Sequence, residues 1–135
     1  MISDKIEFRV RYGETDQMSF AYHGNYAQYL EMGRIEWLRK LGISYKKMEE
    51  TGIMLPVISL NINYKKPAKY DDLLTLKTTL VNKPLVKIKF EFEIYDQNNE
   101  LLTTANVTLA FINSITKKPT RAPEYLLKKL AEANV

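Results

Sequence analysis

Residues 12–26, YGETDQMSFAYHGNY, decide how this chain is read. Before them, Ile6, Phe8, Val10 and Tyr12 alternate with Glu7, Arg9 and Arg11. A period of two predicts a half-buried strand, with Gly13 as its stop. After them, Tyr26, Leu30, Gly33, Trp37 and Leu41 recur at helical spacing and share one face. The stretch itself follows neither period. It holds the lone histidine, His23, two of the five glycines, and Asp16 flanked by Thr15 and Gln17. Irregular backbone rich in polar side chains, held between regular elements, is where binding and catalytic groups concentrate. An ordinary connecting loop is the plain alternative.

Working outward, Asn25 suits the N-cap of the helix, because its side chain can accept a bond from an orphan N–H. Gly33 costs roughly 1 kcal/mol against alanine in a helix interior, which implies close approach to another backbone. Gly42 should end the helix, and Ser44 to Glu50 form a short one closed by Gly52. After Pro56 the chain reads as strand. Ile58, Leu60, Ile62 and Tyr64 alternate, then Leu74, Leu76, Thr78 and Leu80, then Val86, Ile88, Phe90, Phe92 and Ile94. Ala105, Val107, Leu109 and Phe111 make the last strand. Asn82-Lys83-Pro84 and Asp96-Gln97-Asn98-Asn99 are turn signals between them. Pro123 suits the first turn of a closing helix at 124–133. Consecutive strands on short turns favour an antiparallel sheet with the long helix on one face.

Composition narrows the function classes. The 135 residues fit one ordinary domain, 1–135, and a 45% hydrophobic content supplies one sizeable core. With no cysteine and one histidine, thiolate chemistry is excluded and a histidine-based metal site is not expected. No apolar run reaches the length of a membrane span. The opening MISDKIEFRV mixes acid and base from the start, so no signal peptide is expected and a cytoplasmic location is. The net charge of +4 suits a solvated surface or an anionic small ligand. No dense basic run interleaved with aromatics points to nucleic acid.

Glu14, Thr15 and Asp16, then Tyr22, His23, Asn25 and Tyr26, stand at a strand-to-helix junction. Tyr70-Asp71-Asp72-Leu73-Leu74-Thr75 opens a later strand. In these features the chain resembles the 4-hydroxybenzoyl-CoA thioesterase family of hotdog-fold acyl-CoA thioesterases, and within it the members associated with the Tol-Pal system. The resemblance implies an α+β hotdog fold: a curved antiparallel sheet of about five strands wrapped around one long central helix. It implies pairing into homodimers or homotetramers with sites at the interface. It implies hydrolysis of acyl-CoA to CoA and a carboxylic acid, with no metal or prosthetic group, coenzyme A being part of the substrate.

By the same resemblance Asp16 matches the catalytic carboxylate, and His23 stands where a backbone N–H polarises the thioester carbonyl. Tyr22, Gly24 and Asn25 surround that N–H as substrate contacts. Lys83 and Arg121 occupy places where the family puts cations for CoA, with Lys87 and Lys118 near them. Gln17-Met18-Ser19-Phe20 departs from relatives that carry small residues and glycine after the aspartate.

The chemistry fits. A thioester has a good leaving group, so one carboxylate can suffice, as general base on water or as nucleophile. The turn His23-Gly24-Asn25 at a helix N-terminus can offer N–H groups to the developing oxyanion. A Ser-His-Asp triad is not supported: there is no G-x-S-x-G elbow, and Ser19 lies too close in sequence. The plain alternatives are a turn role for Asp16, local packing for the His23 ring, and bare surface for Lys83 and Arg121. A non-catalytic acyl-CoA or partner-binding module, or a hotdog hydratase or dehydratase, are the other function classes.

Overall fold

The structure, a computed structural model, describes residues 2–133; Met1, at the head of the opening decapeptide, and Asn134 and Val135 lie outside the described residues. Strand β1 (Ser3–Arg9) leads into the irregular segment, which carries single 3-10 turns at Tyr12–Glu14 and His23–Asn25. Helices α1 (Tyr26–Leu41) and α2 (Tyr45–Glu50) follow. Then come β2 (Ile53–Met54), β3 (Val57–Tyr64), β4 (Leu73–Leu80), β5 (Lys87–Tyr95), β6 (Leu101–Ala110), β7 (Ile112–Asn113) and α3 (Glu124–Glu132). Five strands form one sheet in the order β1-β4-β5-β6-β3, every neighbouring pair antiparallel. The α+β hotdog architecture is therefore as expected. Strands β2 and β7 pair separately. At two residues each they are too short to leave a periodic trace in the sequence.

Helix α1 lies against β1 and β4. Its buried face is Tyr26, Tyr29, Leu30, Gly33, Trp37 and Leu38, while Leu41 is only half-buried. Trp37 meets Phe90 of β5 edge-on at 5.1 Å between ring centroids. Burying each such side chain stabilises the fold by about 1.5–3 kcal/mol. Gly33 is the point of closest approach. A Cβ there would stand 2.6 Å from both Leu76 Cδ2 and Thr78 Oγ1, so side chains of β4 rather than a second backbone fill the space.

The boundaries of the irregular segment differ from expectation in two places. β1 ends at Arg9, and Tyr12 begins a 3-10 turn with its ring 78% exposed. The chain turns there because Val10 pairs with the Asp71–Asp72 main chain, and Arg11 and Glu14 then close a turn on themselves. Asn25 does not cap α1. It is already helical in φ and ψ, and its Nδ2 donates 2.9 Å to the Glu14 carbonyl instead. The helix is entered through the His23–Asn25 turn, with extended Tyr22 in the capping position. Further on, Ser44 caps α2 by accepting from the Lys47 N–H, α1 ends at Gly42, and α3 buries Leu126 and Leu130.

β3 alternates in sequence but not in burial. Val57, Ile58 and Leu60 remain 46%, 50% and 41% exposed. It is an edge strand whose outer side pairs with no other strand among the described residues. No helix among the described residues is long and apolar enough to cross a membrane.

Candidate active site

Asp16 stands at the start of a tight loop. Its main-chain N–H donates to the Phe20 carbonyl at 2.9 Å, and Ser19 N–H returns to the Asp16 carbonyl at 3.0 Å. Its carboxylate Oδ1 accepts from Met18 N–H at 2.9 Å and Phe20 N–H at 3.2 Å. The other oxygen, Oδ2, has no partner among the described residues. One side of the carboxylate is thus pinned by backbone, and the other makes no hydrogen bond among the described residues. The loop is laid against the chain between β3 and β4: Ala21 N–H donates to Ala68 O at 2.7 Å, and Tyr70 N–H to Ser19 O at 3.2 Å.

Ser19 takes a left-handed φ of 65° to make this loop. That conformation costs an L-residue roughly 1–2 kcal/mol, against about 0.4–1 kcal/mol of extra chain entropy that glycine must lose. Ser19→Gly should therefore raise the melting temperature by about 1–3 °C. Ser19→Val, β-branched, should lower it. Differential scanning calorimetry reads both.

The helix start follows this loop directly in the chain. Asn25 N–H donates to Tyr22 O, and Tyr26 N–H to His23 O. The main-chain N–H groups of His23 and Gly24 take no partner among the described residues. These two, rather than Asn25, are the free donors of the turn. Gly24 admits the Tyr22 ring, since a Cβ there would come within 2.5 Å of it. The His23 ring packs tilted on Tyr22 at 4.4 Å and edge-on to Tyr64 at 6.5 Å. Tyr64, at the end of β3, donates its hydroxyl to the His23 carbonyl at 3.2 Å.

Glu14 ties the loop and the helix together. Its carbonyl accepts from Tyr22 N–H at 2.8 Å as well as from Asn25. Its carboxylate accepts from the Arg11 N–H and guanidinium and, at 3.0 Å, from the Tyr29 hydroxyl on α1. Burial works to raise the Glu14 carboxyl, but the bonds from Arg11 and Tyr29 outweigh it and hold it below its ordinary value. Burial first, and then the Glu14 carboxylate, push the Tyr29 hydroxyl well above its own. Glu14 is the ionised acceptor and Tyr29 the donor.

Lys83 and Arg121 are not part of this cluster. Lys83 lies in the β4–β5 connection and Arg121 just before α3; both are exposed. The two loops are joined by Ala122 N–H donating to Leu85 O. They sit with the start of β5, whose Lys87 pairs with Ala110, near the beginning of β3. Lys118 occupies the hairpin that folds back on Asn113, beyond the same end of β6. The Asp16 loop sits at the opposite end, where Tyr64 pairs with Thr103 and Thr103 with Ile94. From Lys87 to Ile94 the sheet runs roughly 23 Å at about 3.3 Å per residue.

Three participants were not assigned by sequence reasoning: the hub role of Glu14, Tyr29 and Tyr64. Tyr29 is one turn on from Tyr26, so helical spacing could have put it on the inner face. Tyr64 is 41 residues from His23, and no local pattern joins them.

A five-stranded antiparallel sheet around a long helix, with a carboxylate loop set before the helix start, defines a class. The chain belongs to the thioesterase-like superfamily, which it matches over residues 10–130. It is 36% identical to the DHNA-CoA thioesterase of Staphylococcus aureus, whose structure superposes with a TM-score of 0.92, covering 99% of this chain and 92% of that one. YneP of Bacillus subtilis is 36% identical over 85% of this chain and 83% of its own length. The acyl-CoA thioesterase YbgC of Haemophilus influenzae is 32% identical, over 92% of this chain and 93% of its own.

Proposed function

We propose that this chain hydrolyses acyl-CoA thioesters to CoA and a carboxylic acid, with Asp16 carrying the chemistry. The observation behind it is the Asp16 carboxylate, fixed through Oδ1 by two main-chain N–H groups and open at Oδ2, beside a helix start with free N–H donors. The relatives above, named as acyl-CoA or DHNA-CoA thioesterases, support the same substrate class.

Two routes fit. As general base, Asp16 takes a proton from water while the water oxygen attacks the thioester carbon; CoA leaves as thiolate and is then protonated. As nucleophile, Asp16 expels the thiolate to form a mixed anhydride, which water opens. In both, the carbonyl oxygen becomes anionic and is met by the His23 and Gly24 N–H groups. A donor of this kind is worth about 2.7–4 kcal/mol in the transition state. The His23 side chain is not required for that, while Tyr22 and Asn25 line the turn. Neither route asks for a metal or prosthetic group. A cytoplasmic location belongs to the reading, since a chain without cysteine draws nothing from an oxidising compartment.

The test is CoA release followed with DTNB over a panel of acyl-CoA chain lengths and aromatic acyl groups. Turnover of one class carries the reading. Binding without release across the panel would make the chain a non-catalytic module and Asp16 a turn residue.

The reading includes a homodimer. The free edge of β3, with Val57, Ile58 and Leu60 exposed, suits pairing with a second copy. A two-fold axis at that edge runs the two β3 strands antiparallel, so the start of one lies beside the end of the other. Lys83 and Arg121 of one chain then approach Asp16 and His23 of its partner, where they can hold CoA phosphates. Analytical ultracentrifugation should find a dimer or larger. Replacing Lys83 or Arg121 by alanine should raise KM for acyl-CoA about fivefold, a loss near 1 kcal/mol as suits an exposed contact. It should leave KM for an acyl-pantetheine unchanged. Equal losses on both substrates would remove the phosphate role.

A further inference from the structure

Asp16 and the helix N–H groups belong to separate stretches of chain, and both must meet one thioester carbonyl. Something has to set the distance between them. The bonds within the loop at 16–21, and those from it to Ala68 and Tyr70, fix its own shape but do not tie it to α1. Three bonds from the far side converge on Glu14, two residues ahead of Asp16: Tyr22 N–H and Asn25 Nδ2 to its carbonyl, and the Tyr29 hydroxyl to its carboxylate. The first two come from the turn that carries the free N–H donors. The third comes from the first turn of α1 proper, from a ring fixed against Phe8 at 4.7 Å and Tyr26 at 5.4 Å. Tyr29 is itself 2% exposed, so its hydroxyl is held from a rigid wall. Arg11 clamps the same carboxylate from the solvent side.

We propose that Glu14 and Tyr29 are positioning residues for this reaction: their hydrogen bond sets the Asp16 loop against the start of α1 and so fixes the spacing between carboxylate and oxyanion donors. The inference rests on the hydrolytic reading above. It predicts a defect in the chemical step rather than in substrate affinity, because the Glu14 and Tyr29 side chains bond each other and Arg11 and make no hydrogen bond to Asp16. Misplacement by an ångström is enough to cost up to about a hundredfold in rate.

The experiment compares Tyr29→Phe, Glu14→Ala and the double variant with the wild-type chain. Tyr29→Phe keeps the ring and its packing and removes only the hydroxyl. Ser44→Ala, which loses the α2 cap at the other end of α1, shows what stability loss alone does to kcat. Each single variant should lose about tenfold in kcat with KM within about twofold, and the double variant no more than the larger single loss, since both remove one bond. Ser44→Ala should keep its kcat. Hydrogen exchange is the second readout: the amides of Met18, Phe20 and Tyr22 should exchange faster in Tyr29→Phe. Wild-type kcat in Tyr29→Phe overturns the inference, and so does a double variant whose loss is the product of the single ones. Unchanged exchange at those amides overturns the fastening whatever the assay gives. If the wild-type chain releases no CoA from any substrate, the hydrolytic reading fails and the positioning role with it, while faster exchange in Tyr29→Phe would still support the fastening.

Discussion

Asp16→Asn should lower kcat on the best acyl-CoA at least a hundredfold while the fold and the affinity for CoA stay near wild type. The magnitude is that of a lost general base, about 10²–10⁴ in rate. The variant is clean because of how the residue is held. Asparagine keeps an oxygen that can accept from Met18 and Phe20 N–H as Oδ1 does now, so the turn survives. The amide nitrogen then replaces Oδ2, the oxygen with no partner among the described residues, and removes both charge and basicity there. A correctly folded Asp16→Asn chain with near wild-type kcat would end the assignment. The same site separates the two routes. In a single turnover in ¹⁸O-water with enzyme in excess, label retained on Asp16 establishes an anhydride opened at the aspartyl carbon. Label in the product acid arises from direct water attack or from water attack on the acyl carbon of an anhydride.

Gly33→Val should have the largest effect on stability, a loss of about 3 kcal/mol and near 10 °C in melting temperature. Removing glycine from a helix interior is worth roughly 1 kcal/mol by itself. At Gly33 that gain is overrun. The new Cβ would meet Leu76 Cδ2 and Thr78 Oγ1 at 2.6 Å, and both residues are almost fully buried, at 0% and 1% exposure. Neither can swing into solvent, so α1 must lift from β4. Gly33→Ala sets the propensity gain against one methyl and should lose only about 1 kcal/mol. Thermal melts of the two variants check the pair; a valine variant that melts within 2 °C of wild type, on the order of 1 kcal/mol or less, would mean that α1 and β4 are not in this contact.

The elements were largely legible because each repeats a simple period. The α1 span Tyr26–Leu41 and the alternating burial of β4 and β5 follow directly from side-chain spacing. β3 has the same alternation without the burial, because periodicity marks which residues share a face and not whether anything covers it. In the site, Asp16 and the His23-Gly24 turn stood out as polar groups in irregular backbone. Asn25 reads as a cap from sequence, because an asparagine before a helix can serve either the helix or a neighbouring loop. Only the fold shows that the Glu14 carbonyl takes its amide. The Tyr64 and Tyr29 contacts were beyond reach for the same reason: they join segments that meet only in the folded chain.

The sheet separates Asp16 from Lys83 and Arg121 by most of its length, and β3 is left open along the side. In the paired assembly proposed above, a lone chain carries two half-sites that cannot reach one another. Specific activity then obeys mass action. Below the dimer dissociation constant, rate falls faster than the amount of protein, and substrate, by bridging two chains, pulls them together. A cell expressing this chain sparingly would hold it with a raised KM, and a modest rise in its abundance or in acyl-CoA would restore turnover more than proportionally.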